Sequence, residues 1–207
     1  MFDINNVAFQ LLDYPISYLE LIGTIFGLVS VYWAARTNIL TWPSGILNEI
    51  AFFALFYQVQ LYSDMLLQVF FLVATIYGWL NWKKGTKQVE ISSLSARAIL
   101  IYLTLLFLGT FALGQLMSQI HMLLPSLFEV KAAFPYFDAF TTVASILATV
   151  FLAQKKIETW IIWIVVDVVC IGLYFIKGIP VVAAEYIVFL GLCSMGWYNW
   201  SKSMKHD

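Results

Sequence analysis

A chain of 207 residues that is 62% hydrophobic and 11% charged, with a net charge of −1, lies far from a soluble domain, where about a quarter of residues are charged. Its mean hydropathy of +0.86 places it in a bilayer. Its near-neutral charge supplies no basic surface for nucleic acid.

The first 16 residues contain Asp3 and Asp13 but no lysine or arginine, so they lack the basic region of a cleavable signal peptide, and the first span is expected to be retained. Crossing about 30 Å of hydrocarbon takes about 20 mostly apolar residues. Seven stretches approach that length, at 17–35, 39–58, 65–82, 98–117, 136–153, 159–176 and 180–200. They are continuously apolar and do not alternate, which excludes a transmembrane barrel. The expected fold class is therefore all-α integral membrane with seven transmembrane helices.

The first span opens with Glu20 in its first turn, where a carboxylate complements a helix N-terminus. The second begins at Trp42, Pro43 and Gly45 and carries Asn48 and Glu49 near its middle. The third holds Gln68 and Tyr77 and ends at Trp79 and Trp82, read as anchors at the headgroup level. A polar stretch from Lys83 to Arg97 leads into the fourth. The fifth repeats the start of the first with Tyr136 and Asp138; the sixth carries Trp160, Trp163, Asp167 and Tyr174; the seventh carries Glu185 and Tyr186 and ends at Trp197 and Trp200. Cys170 and Cys193 sit mid-span as small buried hydrophobes, and both histidines lie outside the spans, so no disulfide, metal or cofactor is expected. With no histidine at membrane depth and no nucleophile beside a base, an enzyme is not expected either.

Seven spans put Arg36, Lys83, Lys84, Lys87, Arg97, Lys155, Lys156, Lys202 and Lys205 on one side and only Lys131 and Lys177 on the other, nine against two. Basic residues of short loops stay on the cytoplasmic side. The N-terminus is thus expected outside and the C-terminus in the cytoplasm.

Shifted by 118 residues without a gap, the chain matches itself: Trp42 falls on Trp160, Glu49 on Asp167, Thr24 on Thr142, Thr41 on Thr159, and 78–82 on 196–200. The chain reads as a single membrane domain, 1–207, with a first three-helix repeat at 17–84, a linker with a connecting helix at 85–134, and a second repeat at 135–202. Four spans separate corresponding helices, so the repeats are parallel and a solute path can run along the axis that relates them.

An ionisable group deep in a bilayer costs at least about 2.5 kcal/mol and faces protein or water. Glu49 and Asp167 are the deepest, each seven residues and therefore two helical turns after a tryptophan, on the same face. Trp163 is closer still to Asp167, at the i, i+4 spacing. An aromatic face beside a carboxylate suits an organic cation. Glu185, opposite Leu67 in the repeat, is asymmetric, as is the pair Gln68 and Tyr186. Asn48, Gln68, Tyr77, Tyr174 and Tyr186 are candidates for orienting a bound ring or hydroxyl. The candidate substrate-binding set is thus Trp42, Asn48, Glu49, Gln68, Trp160, Trp163, Asp167, Tyr174, Glu185 and Tyr186; a protonated structural pair or a proton shuttle is the alternative for the acids.

The runs Asn38 to Pro43, Gln60 to Tyr62, Leu67 to Phe70, Tyr77 to Trp79 and Lys156 to Asp167 resemble, in order and spacing, the PnuC family of vitamin transporters over nearly the whole chain. The resemblance implies a three-plus-one-plus-three fold like that of SWEET sugar transporters, uptake of nicotinamide riboside across the bacterial inner membrane, and a homotrimer. Relatives within the family carry thiamine or riboflavin. The family's Trp-x-x-x-Asn pattern maps onto Trp163 and Asp167, where the carboxylate keeps the acceptor and loses the amide donor. Nicotinamide riboside and thiamine are both cations and suit that change; riboflavin, neutral and larger, suits it less. No phosphate-binding loop is present to spend ATP. The expected mechanism is facilitated diffusion with alternating access and trapping by a cytoplasmic kinase, with proton coupling as the rival.

Overall fold

The apolar runs become helices whose starts are set by local chemistry. In the computed structural model, which describes residues 6–11, 14–58, 62–83, 90–123, 133–176, 178 and 180–204, helix α1 (Tyr18–Ala35) opens on Ser17, whose Oγ accepts from the Glu20 amide at 3.2 Å. Then follow α2 (Thr41–Gln58), α3 (Tyr62–Lys83), α4 (Ala96–Leu123), α5 (Pro135–Ala153), α6 (Glu158–Ile176) and α7 (Pro180–Ser203). Proline stands at the first position of α5, where its missing amide hydrogen costs nothing.

These bounds follow the expected spans closely, with α4 the exception: it runs on through Gln115, Ser118 and His121 to Leu123. Polarity ends a span, but it does not end a helix. By length and composition α1, α4, α5, α6 and most of α7 can cross a membrane. α2 has the length, 18 residues, but less hydropathy, and α3 spans 22 residues. The polar groups of α2 account for it, and Ser44 and Glu49 among them are buried.

The all-α expectation needs one amendment. Strands β1 (Val7–Leu11) and β2 (Tyr14–Ser17) form an antiparallel hairpin, pairing Phe9 with Ile16 and Leu11 with Tyr14, that leads directly into α1. Short strands carrying Asp13 between them gave no long periodic signal.

The helices pack α1 on α2, α2 on α3, α3 on α5, α5 on α6, α6 on α7 and α7 on α1, an order that closes a ring of six, while α4 leans on α5 from outside. A shift of 118 residues carries the seam between α3 and α5 onto the seam between α7 and α1. The C-terminal ends of α1, α3, α5 and α7 meet at one end of the ring. Asn81 Nδ2 donates to the Ala153 carbonyl at 2.9 Å, and its repeat mate Asn199 donates to the Ala35 carbonyl at 3.1 Å. Corresponding helices therefore run in the same direction. Arg36, Lys83, Lys155, Lys156 and Lys202 all lie at this end, called here the lysine end. These five basic residues are thus on one side; Lys84, Lys87, Lys131, Lys177 and Lys205 lie outside the described residues, as do Asp3 and Asp13.

The turns from α1 to α2 and from α5 to α6 are copies. Thr37 and Lys155 both take φ of 53°, a left-handed conformation uncommon outside glycine. Asn38 and Lys156 amides donate to Trp33 and Phe151 carbonyls at 2.9 and 2.8 Å. Thr41 and Thr159 hydroxyls reach back to the Ser30 and Ala148 carbonyls at 3.0 and 2.8 Å. The second turn is also clasped from outside: Ser92 pairs with Lys156 in a parallel bridge, and Ser93 Oγ and the Leu94 amide both donate to Glu158 Oε1, at 2.6 and 2.8 Å.

Candidate functional site

At the lysine end four tryptophans form a continuous layer. Trp42 and Trp82 meet edge to face at 5.1 Å between ring centroids, Trp82 and Trp200 lie 6.4 Å apart across the ring, and Trp200 meets Trp160 edge to face at 5.4 Å. Such pairs are favoured by the ring quadrupoles. The order 42, 82, 200, 160 is its own image under the repeat. Glycine makes the seats: a side chain at Gly196 would stand 2.7 Å from the Trp160 ring, and one at Gly78 would collide with Trp42. Trp160 and Trp200 are 1% and 0% exposed. Ile91, from the segment before α4, packs on the same cluster.

This placement corrects one expectation. Trp82 and Trp200 are not headgroup anchors; only their neighbours Trp79 and Trp197 look outward, Trp197 being exposed and Trp79 carrying the Lys83 ammonium 4.5 Å over its ring. Three residues make nearly a full turn, so adjacent repeats of Trp-x-x-Trp diverge only slightly in direction, and the ring closure decides which points in. Trp42 and Trp160 share the layer and are buried in this conformation, two turns from the acids they precede.

One level deeper, each acid pairs with a residue of the next helix in its own half. Glu49 Oε1 accepts from Thr75 Oγ1 at 2.5 Å, and Asp167 hydrogen-bonds the Cys193 thiol. Residues 75 and 193 are themselves 118 apart. Cys193 is therefore not merely a small hydrophobe; it stands where the first half has a hydroxyl. Glu49 and Asp167 are 7% and 2% exposed, and their second oxygens, Oε2 and Oδ2, find no hydrogen-bond partner among the described residues. A buried carboxylate oxygen of this kind is costly to leave unmatched, and such groups mark functional positions.

The remaining candidates divide into three places. Glu49 and Gln68 line a cavity of about 250 Å³ with Ile50, Phe53, Val69 and Leu72, between α2 and α3. Trp163, Tyr174 and Tyr186 pack around Ala144, Val166 and Cys170, with the Tyr174 and Tyr186 rings stacked 5.6 Å apart. Tyr186 also touches Phe189 at 6.2 Å. Asn48 binds α1 within its own half: its Nδ2 donates to the Gly23 carbonyl at 2.8 Å, and it lies beside Gly27, where the Phe189 ring of α7 also approaches. Glu185 lies apart from these, hydrogen-bonded to Thr24 of α1 and near Glu20.

The sequence set thus contains the acids and the aromatic cluster but misses their supports: Thr75, Cys193, Asn81, Asn199, Trp82 and Trp200. The repeat offset would have found them, since they are three pairs 118 residues apart. Chemically the arrangement offers aromatic faces, amide, hydroxyl and thiol groups and two acid oxygens at matched depth. Among the described residues no cluster of metal-ligating side chains occurs.

Known proteins share this design. The family model described as nicotinamide mononucleotide transporter matches residues 17–202. The nicotinamide riboside transporter PnuC of Escherichia coli (strain K12) is 28% identical, covering 93% of this chain and 88% of its own. The riboflavin/roseoflavin transporter RibM of Streptomyces davaonensis is 26% identical over 99% of this chain and 94% of its own. The crystal structure of the vitamin B3 transporter PnuC superposes with a TM-score of 0.68 at 23% identity, covering 91% of this chain and 83% of that one, which establishes the fold.

Proposed function

Because this chain belongs to the nicotinamide mononucleotide transporter, or PnuC, family, whose members are membrane transporters and not enzymes, we propose that it carries nicotinamide riboside across the bacterial inner membrane. The observation that carries the substrate is Asp167 beside Trp163 on α6, with one acid oxygen unmatched: a pyridinium ring can lie on an indole while a carboxylate compensates its charge. Sequence likeness to the Escherichia coli transporter points the same way. The proposed contacts are Trp163, Asp167, Tyr174 and Tyr186 from one half and Asn48, Glu49 and Gln68 from the other. Trp42 and Trp160 close the site toward the lysine end, and Glu185 lies toward the opposite mouth.

In this reading the halves, 17–84 and 135–202, joined by the linker unit 85–134, rock against each other, and the lysine end faces the cytoplasm. No part of the chain couples to ATP, so transport equilibrates the vitamin, and a cytoplasmic kinase retains it as a phosphate ester. A trimer, as the family resemblance implies, leaves each ring its own path.

The likeness to RibM supports riboflavin as the second reading. Proteoliposomes that contain the protein and no kinase separate the alternatives. Expected is saturable entry of nicotinamide riboside up to the external concentration, independent of a pH gradient, with thiamine weaker and riboflavin weakest. Accumulation above the external level under a proton gradient overturns facilitated diffusion. Preference for riboflavin overturns the cation reading.

A further inference from the structure

The repeat makes the two seams between the halves equivalent in sequence position, yet they are not equivalently bonded. At the lysine end of the seam between α1 and α7, Asn199 Nδ2 donates to the Ala35 carbonyl and Trp200 Nε1 to the Ala34 carbonyl, both at 3.1 Å. Toward the other end, Glu185 hydrogen-bonds Thr24 across the same seam. Among the described residues, the seam between α3 and α5 keeps the first of these and not the other two. Asn81 donates to the Ala153 carbonyl, but the Trp82 indole nitrogen, mate of Trp200, has no partner among the described residues. Leu67 stands where Glu185 would be, and Thr142, mate of Thr24, turns its hydroxyl back to the Asp138 carbonyl of its own helix at 2.8 Å.

A helix pair held by polar bonds near both ends resists splaying, because each bond broken in an apolar medium leaves groups that nothing else satisfies. A pair latched at one point can part there. We propose that the ring opens along the α3–α5 seam, with Asn81 as its latch, while the α1–α7 seam stays closed and acts as the hinge. Trp82 is then the member of the tryptophan layer that moves: its ring packs edge to face on Trp42 of its own half at 5.1 Å, while Trp200 of the other half lies farther off at 6.4 Å and the Lys155 ammonium sits over it at 4.8 Å. The site's asymmetry fits this motion, since Asn48 of α2 and Phe189 of α7 both close on Gly27 of α1, at the seam that does not open.

This inference rests on the transport reading but is tested separately from it. Paired cysteines are placed at repeat-matched positions, N81C with A153C across α3–α5, and A35C with N199C across α1–α7. Uptake is measured for whichever of the three vitamins the wild-type protein carries. Expected is loss of transport when the 81–153 pair is oxidised, restored by reductant, with transport continuing when the 35–199 pair is oxidised. Block at both seams, at α1–α7 alone, or at neither overturns the proposal. Spin labels on the helix ends, at 80 with 154 and at 36 with 198, test the same point without any substrate and without touching the latch. Leu80 and Tyr198, the two α-helical label sites on α3 and α7, are exposed. A broader distance distribution is expected across 80–154, and equal distributions overturn the proposal. Wild-type protein that carries none of the vitamins would refute the substrate assignment and leave the spin-label result standing.

Discussion

The lysine end and the middle of the ring treat the repeat in opposite ways. At the lysine end almost every residue has its mate: Trp42 and Trp160 on Gly78 and Gly196, Asn81 and Asn199 on opposite carbonyls, and two copies of one left-handed turn. In the middle the mates differ in chemistry: Asn48 faces Val166 in the alignment, Gln68 faces Tyr186, Gly45 faces Trp163, Leu67 faces Glu185 and Thr75 faces Cys193. Closing a path needs a barrier that fits itself, and symmetry provides one cheaply. Recognising a molecule without twofold symmetry needs the opposite.

The strongest way to break this comparison is to fill a symmetric seat. Gly196→Ala puts a methyl 2.7 Å from the Trp160 ring, and such overpacking costs about 1–3 kcal/mol. Expected is a clear fall in melting temperature in detergent. Gly172→Ala, which meets nothing within 4 Å, serves as the control and leaves the protein as stable as before or more so.

The asymmetric middle is probed by ligand affinity. Trp163→Ala is expected to weaken nicotinamide riboside binding by at least about 1 kcal/mol, roughly fivefold. Asp167→Asn, which restores the family's amide, is expected to lower affinity for the cationic vitamins while leaving riboflavin nearly unchanged. Titration calorimetry on folded protein checks both, and equal loss for neutral and cationic ligands would place the site away from α6.

A finer contrast comes from the one unequal pair inside the symmetric layer. Trp200→Phe and Trp82→Phe remove the same ring area, but only the first removes a hydrogen bond, to the Ala34 carbonyl. Trp200→Phe should therefore be the more destabilising by about 1 kcal/mol. Equal melting temperatures would mean that the indole bond contributes nothing.

The smallest expected effect is on pH dependence. Burial holds Lys155 below the usual lysine range. Its folded pKa is thus lower than its unfolded one, so between the two the unfolded chain binds more protons and stability rises with pH. Thr37, its mate, has no charge to titrate. Lys155→Thr, which copies the first turn onto the second, should flatten that alkaline rise; a rise that survives the substitution belongs to another group.

Much of the fold could be read from one dimension because the solvent imposes it. Seven apolar runs of membrane length leave the backbone no other way to satisfy its polar groups, and the offset of 118 residues fixes which helices correspond. The hairpin before α1 was not legible, since its strands are short and its only support is local. Among functional residues, Glu49 and Asp167 stood out because acids are rare at that depth. Cys193 did not, because nothing in its neighbourhood along the chain says that Asp167 of the preceding helix will find it.

The amino-acid sequence by itself determined membrane residence, helix number, the direction of the repeat and the two buried acids, because each depends on composition or spacing along one chain. Only the tertiary structure decided which tryptophans turn inward, which hydroxyl and thiol meet the acids, and that Asn81 and Asn199 reach across to the opposite half. Those outcomes depend on contacts between residues 26 to 166 positions apart, the longest of them joining opposite halves. Such contacts exist only once the six helices have closed their ring.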